Sequence, residues 1–347
     1  MAKAEPEKRK IQMADIARLA GVSTATVSRA LNGSALINEE TRLRIIELAR
    51  SLNYTINLGA QNLRKGDSST IGVVIPFNAA NKQNITDPFF LAILGSLADA
   101  LTDKQYDLLL SRVDADHLDR ISALYDSGRV GGIVVVGQWG HHDQLNELAR
   151  QRLPFVAWGA QLPNQLYCSV GGDNASGGQL ATEHLIALGH RRIAFYGGHA
   201  DSSSCRQRRA GHAQAMKRAG LPVDPAWLIE SAPNRLEAAA RTGELFGDQA
   251  PPTAAVCYND TVALGLMLGL LARGIQPGKG FAVTGFDDIP EAAVTTPPLT
   301  TLAANPRERG RQAAQLVLAQ MDEGAVPRRT IAPVTLSVRE SSGVTLK

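Results

Sequence analysis

The sequence predicts a small all-α helix-turn-helix headpiece followed by an α/β body of two doubly wound parallel-sheet lobes. Three observations carry this. Charge is unevenly placed: residues 1–66 hold 11 Lys and Arg against 6 Asp and Glu, whereas the rest of the chain holds 25 against 27. Residues 13–52 show apolar side chains at helical spacing, punctuated by good capping residues. From Thr70 onward, apolar runs of strand length alternate with helical patterns, in two successive series.

At 347 residues the chain is too long for one compact core. With 44% hydrophobic and 20% charged residues its composition is globular. A basic head on a near-neutral body implies that only the head meets a polyanion; the plainer alternative is a solvated basic tail. Cys168, Cys205 and Cys257 are too few and too scattered for a disulfide framework or a metal motif. They fit a reducing compartment. The N-terminal stretch has no apolar signal segment, and no run reaches membrane-spanning length. A cytoplasmic protein without a membrane partner is expected.

Met13, Ile16, Ala17 and Ala20 mark a first helix, and Gly21 supplies the backbone freedom that ends it. Ser23 is a good N-cap for a second helix, whose apolar face is Val27, Ala30 and Leu31. Thr24, Ala25, Ser28 and Arg29 lie largely off that face. Asn38 caps a third helix with Glu39 and Glu40 at its positive end and Ile45, Leu48, Ala49 and Leu52 as its buried stripe. Two helices joined by a short Gly-containing turn, with a third behind, form a helix-turn-helix. A helix entering the major groove needs short side chains near its N-terminus, and its hydroxyls can bond phosphates. One long cation such as Arg29 can reach guanine O6 and N7. The alternative is an ordinary three-helix bundle with a polar face.

Next comes "NYTINLGAQNLRKGDSS", Asn53–Ser69. Leu58–Arg64 is helix-compatible but too short to be stable alone, because nucleation is costly. It can fold on binding, with Leu63 as an apolar wedge in the minor groove; otherwise it is a plain linker.

In the body, "TIGVVIP", "YDLLLSR", "GGIVVVG" and "PFVAWG" alternate with helical segments. A second series starts near Tyr167 with "YCSVGG" and runs through "RRIAFYGG", "AAVCYND" and "FAVTGFDD". Continuous apolar strands between helices mean parallel sheets covered on both faces. Ligands of such folds bind beyond the carboxyl ends of strands, here between two lobes. The strand ends offer Asn78, Trp158, Arg208, Asn259, Asp260, Asp287 and Asp288. Amides, carboxylates and an Arg suit directed bonds to hydroxyls, and an indole offers an apolar face to a pyranose ring. That set favours a sugar over a purine or an amino acid.

"MADIARLAGVSTATVSRALNG", "TRLRIIELARSLNYTIN" and "AQNLRKG" resemble the headpiece and hinge helix of the lactose-repressor (LacI-type) transcription regulators. The resemblance runs from about residue 11 to about 342. It implies a body like the periplasmic sugar-binding proteins, with lobes joined by three crossovers. It implies base readers at Thr24, Ala25 and Arg29, backbone contacts at Ser23, Thr26, Ser28, Asn32 and Tyr54, and a hinge wedge at Leu63. It also places Arg208, Asn259, Asp287 and Phe89 on effector-contact positions. Three departures stand out. Ile56 occupies a place after the tyrosine where the family often has proline, Gly159 one where some members carry an acidic contact, and Ala304 one of a polar contact. Helix capping by Asn259 or Asp287, and core roles for Trp158 and Phe89, are the structural alternatives.

The expected domains are a headpiece (1–55), a hinge and linker (56–69), an N-lobe (70–166 with 297–323) and a C-lobe (167–296 with 326–342). "GGDNASGG" lacks dinucleotide or P-loop spacing, His141 and His142 read as an exposed, solvated pair, and no catalytic motif is present. No cofactor, metal or catalytic residue is expected. The reading is a non-enzymatic, homodimeric repressor on a near-palindromic duplex operator, responsive to a mono- or disaccharide. A purine-type corepressor and a sugar-transport binding protein are the alternatives. No Leu heptad run follows the last strand to join dimers.

Overall fold

The computed structural model describes residues 11–31, 33–34, 36–52, 54, 68–77, 85–114, 117–138, 140–247, 250–323 and 329–343. Its contacts form two compact units, residues 1–66 and 67–347.

In the first unit, helix α1 spans Met13–Ala20 and ends at Gly21, whose φ of 68° is the left-handed conformation that glycine adopts without steric cost. Helix α2, Thr24–Leu31, starts where Ser23 Oγ accepts the Thr26 N–H at 3.1 Å. Helix α3, Glu39–Ser51, starts where Asn38 Oδ1 accepts the Thr41 N–H at 2.8 Å. Each cap satisfies an amide that the helix cannot pair internally. Ile16, Val27 and Ile45, one from each helix, are fully buried at the centre, and Ala17, Ala30 and Ala49 let the helices approach around them. These are the apolar stripes expected from the spacing.

The second unit holds two six-stranded sheets. The first contains β1 (Thr70–Phe77), β2 (Asp107–Asp114), β3 (Gly132–Val136), β4 (Phe155–Trp158), β5 (Cys168–Gly172) and β11 (Arg329–Ala332), ordered β11-β5-β4-β3-β1-β2 and wholly parallel. The second contains β6 (Ile193–Tyr196), β7 (Leu228–Ile229), β8 (Ala254–Cys257), β9 (Ala282–Phe286), β10 (Thr300–Ala303) and β12 (Thr335–Ser337), ordered β12-β10-β9-β8-β6-β7. Only its edge strand β12 is antiparallel. Helices α4 (Pro88–Thr102), α5 (Asp119–Asp126), α6 (His142–Arg150) and α11 (Pro306–Glu323) serve the first lobe. Helices α7 (Asn174–Ala187), α8 (Ser203–Arg218), α9 (Arg235–Arg241) and α10 (Asp260–Leu271) serve the second. Strands β3, β4, β6, β8 and β9 are buried along their whole length, as helices on both faces require.

The lobes divide the chain differently from the expectation. Strand β5, expected to open the C-lobe, pairs with β4 and β11 in the first sheet. Strand β10, assigned to the N-lobe, pairs with β9 and β12 in the second, and β11, assigned to the C-lobe, pairs with β5 in the first. The chain therefore crosses between lobes after β5, after β10 and between β11 and β12. An apolar run signals that a strand is buried but not which edge it joins, because strand pairing is a long-range choice.

Candidate functional site

Two surfaces concentrate the expected residues. On the headpiece, Ser23, Thr24, Ala25 and Arg29 are exposed, and Thr26 and Ser28 are half-buried. They share one side of α2 because Val27 and Ala30 take the other side into the core. The Ser23 and Thr26 hydroxyls lie 2.9 Å apart, so both already serve the helix start. Small side chains around a single exposed Arg form a low-relief surface that a nucleic-acid groove can accept. Tyr54 packs its ring against the headpiece core. Asn32 and Leu63 lie outside the described residues, as does Asn78.

In the body, the carboxyl ends of strands from both lobes face one cleft of about 1120 Å³, counted to its open mouth. The cleft brings together Phe89, Trp158, Arg208, Asn259 and Asp287. Phe89 sits in the first turn of α4, whose N-cap is Asp87: Asp87 Oδ1 accepts the Phe89 N–H at 2.9 Å. Trp158 ends β4 and meets Phe89 edge to face, with ring centroids 5.8 Å apart. Trp158 is buried among the lobe's core side chains, so it serves both the core and the cleft wall.

Arg208 is placed by close helix packing. A Cβ on Gly178 of α7 would lie 2.0 Å from the Arg208 carbonyl oxygen, and one on Gly211 of α8 would lie 2.0 Å from the Ala175 carbonyl oxygen. Only glycine at both positions lets α7 and α8 touch backbone to backbone. The start of α7 then reaches the side chain: Arg208 Nε donates to Asn174 Oδ1 at 2.9 Å. Nη1 donates to the Tyr258 carbonyl oxygen at 2.6 Å, and Cζ lies 3.4 Å from the Phe286 ring centroid. Clamped in this way, the guanidinium stands 3.9 Å from Asp287 Oδ1.

Asp287 follows β9 with a φ of 114°, a conformation rare for a non-glycine residue and held by its N–H bond to the Leu302 carbonyl oxygen at 2.8 Å. Its Oδ1 is buried with no hydrogen-bond partner. Burial pushes this carboxyl well above the usual range, Arg208 pulls it back, and the neighbouring Asp260 and Asp87 charges push it further. A buried acceptor beside a fixed cation is an unsatisfied pair that a ligand hydroxyl can complete. Asn259 caps α10 through Oδ1, which accepts the Val262 N–H at 3.0 Å, and it also lines the cleft. The capping and ligand-facing readings of Asn259 therefore coexist in one side chain.

Asp87, Asn174, Tyr258 and Phe286 also line the cleft and were not singled out from sequence. Asn174 follows a strand in "GGDNASGG", and that position alone is its signal. A Cβ at Gly159 would meet the Gln138 amide at 2.6 Å, so any side chain there would displace Gln138. Gln138 in turn accepts the Ala160 N–H at 2.9 Å. The expectation of a solvated histidine pair is corrected at His142, which is half-buried at the start of α6. Its ring nitrogens lie 3.1 Å from Tyr167 Oη and 2.9 Å from the Pro163 carbonyl oxygen. Packing against a later loop, invisible to local sequence, holds it. Among the described residues no cluster of three or more metal-ligating side chains occurs, and no helix is long and apolar enough to cross a membrane.

Comparison with known proteins fits both surfaces. Residues 12–57 match the family described as bacterial regulatory proteins, lacI family, and residues 182–342 match a periplasmic binding protein-like domain. The chain is 30% identical over 322 residues to the HTH-type transcriptional repressor PurR of Haemophilus influenzae (strain PittEE), covering 89% of this chain and 92% of that one. It is 30% identical over 335 residues to the ribose operon repressor of Haemophilus influenzae (strain ATCC 51907 / DSM 11121 / KW20 / Rd), covering 95% and 98%. The fold superposes on the lac repressor dimer bound to operator and the anti-inducer ONPF with a TM-score of 0.81 at 26% identity, covering 97% of this chain and 100% of that one. With its helix-turn-helix head, its two-lobed body and these relatives, the chain belongs to the lacI family of bacterial regulatory proteins.

Proposed function

We propose that this regulator is a homodimeric repressor of carbohydrate-utilisation genes, released from a near-palindromic operator when a neutral mono- or disaccharide binds between its lobes. The single observation that carries the ligand class is the buried, unpaired Asp287 Oδ1 beside the clamped Arg208. A carboxylate acceptor and a guanidinium donor together pair with ring hydroxyls. A ligand without hydroxyls leaves Asp287 Oδ1 without a hydrogen bond in a buried site, which costs affinity. The Phe89 and Trp158 rings supply the apolar wall for a sugar's C–H face. Similarity to a ribose operon repressor supports the same class. On the headpiece, Thr24, Ala25 and Arg29 read bases, and Ser23, Thr26 and Ser28 meet the backbone. Release follows if the sugar prefers a lobe arrangement that the operator complex disfavours.

A melting-temperature screen tests this with a panel of mono- and disaccharides, and with adenine, guanine and hypoxanthine beside them. A ligand of the folded state raises the transition by mass action. A sugar that raises it, and that also releases operator DNA in a mobility-shift assay, is the expected result. A shift by a purine base alone overturns the ligand class. Tighter operator binding with sugar overturns induction.

A further inference from the structure

Two helices begin on opposite walls of the cleft, and each already has its cap. Asp87 Oδ1 caps α4 of the first lobe, and Asn259 Oδ1 caps α10 of the second. A further bond joins them: Thr261 Oγ1, in the first turn of α10, donates to Asp87 Oδ2 at 2.7 Å. Neither helix needs this bond for its own termini, and it spans from one lobe to the other. Thr261 is 8% exposed, and its hydroxyl spends its proton on that carboxylate. A second bridge, Gln207 Nε2 to the Gln161 carbonyl oxygen at 2.8 Å, joins α8 to the segment after β4.

We propose that Asp87 and Thr261 are positioning residues that hold the lobes in their closed arrangement and tie that arrangement to the cleft's aromatic wall. Asp87 uses one oxygen to fix the turn that carries Phe89 and the other to grip the opposite lobe. Separation of the lobes breaks the Thr261 bond and leaves the half-buried Asp87 Oδ2 without that partner. A ligand held between Phe89 and Arg208 favours the same closed arrangement that this bond favours, so the two act on one equilibrium. The inference rests on the cleft being the effector site, but its test needs no effector.

The closing experiment measures lobe separation in the full-length, ligand-free protein. Spin labels are placed on Lys104→Cys in the first lobe and Lys279→Cys in the second, both exposed, and labelled subunits are diluted into unlabelled protein. The native cysteines are all buried and compete little for label. Thr261→Val keeps shape and removes the hydroxyl; Thr261→Ser keeps the hydroxyl. Thr261→Val should add a longer distance and raise the open-to-closed ratio about ten- to hundredfold, as loss of one hydrogen bond to a charged group implies. Thr261→Ser should match the parent. In the Asp87→Ala background, Thr261→Val should change nothing further. A Thr261→Val distribution identical to the parent overturns the proposal, as does a Thr261→Ser variant that opens like Thr261→Val. Failure here leaves the sugar reading intact, whereas a sugar screen without a hit leaves the bond's role intact.

Discussion

Single side chains set the chemistry of both surfaces. Arg29 stands exposed among small neighbours. Arg29→Ala should cost about 1–3 kcal/mol of operator binding and relax preference at one base pair, if the contact is bidentate to guanine. An equal loss on every sequence, measured by competition binding, would make Arg29 a phosphate contact instead. Arg208→Ala and Asp287→Ala should each abolish the sugar-induced rise in melting temperature; retention of the shift in both would move the ligand elsewhere. Two other buried groups govern pH response. Burial pushes Asp260 from its ordinary 3.8 up to about 7, against hydrogen bonds from Thr301 Oγ1 and the Ile289 N–H. The folded state then holds a proton that the unfolded chain releases, so this group removes stability as pH rises from about 4 to 7. Burial pushes His212 from 6.5 down to about 4. The unfolded chain protonates first, so this group removes stability as pH falls from 6.5 to about 4. The two slopes oppose each other, each up to about 1.4 kcal/mol per pH unit, and the raised Asp287 carboxyl adds to the slope of Asp260. Relative to the parent, Asp260→Asn should therefore tilt the stability profile upward with pH between about 4 and 6.5, and His212→Gln should tilt it downward. Urea unfolding across that range measures both, and variant profiles parallel to the parent's would contradict the assignments.

At the scale of elements, glycine decides where the arginine sits. Gly211→Ala places a methyl against the Ala175 carbonyl oxygen, so α7 and α8 must separate. Overpacking of this kind costs about 1–3 kcal/mol. Separation also pulls Asn174 away from Arg208, so the variant should lose sugar response as well as stability. A stabilised or unchanged variant by calorimetry would show that the interface yields more easily than its contacts suggest. The headpiece offers a simpler test. Asn38→Ala removes the cap of α3 and should cost that unit about 1 kcal/mol. The segment bearing Leu63 lies outside the described residues, and its role stays a proposal. Leu63→Ala should weaken operator binding while sparing random DNA, because the wedge forms only on the correct site.

For the molecule as a whole, charge is divided between the two units. The basic excess of residues 1–66 predicts steep salt dependence, with log affinity for operator falling linearly against log salt as counterions are released. Raising salt should leave sugar affinity in the cleft nearly unchanged, since a neutral ligand displaces no counterions. A sugar affinity that falls as steeply as operator affinity would mark the ligand as an anion.

Much of this was legible in the sequence because it is local. Caps at Ser23 and Asn38, the turn at Gly21 and the stripes through Ile16, Val27 and Ile45 are all set by neighbours within a few residues. Strand-length apolar runs likewise announce buried parallel sheets, and residues at their ends point to a ligand site. What no local pattern carries is partnership across the chain. Strands β5 and β11 pair across 160 residues of chain, from Ser169 to Arg329, and β10 joins β9 and β12 in the second sheet through edges that no local apolar run marks. The clamp on Arg208 needs Asn174, Tyr258 and Phe286, each from a different element and none marked by type or spacing. The same holds for Asp87 and Thr261, which meet only because two lobes close on one another. Sequence therefore determined the elements and the class of site, since those follow from periodicity and residue chemistry. Only the tertiary structure decided which side chains share a hydrogen bond, since that is a matter of distance in space.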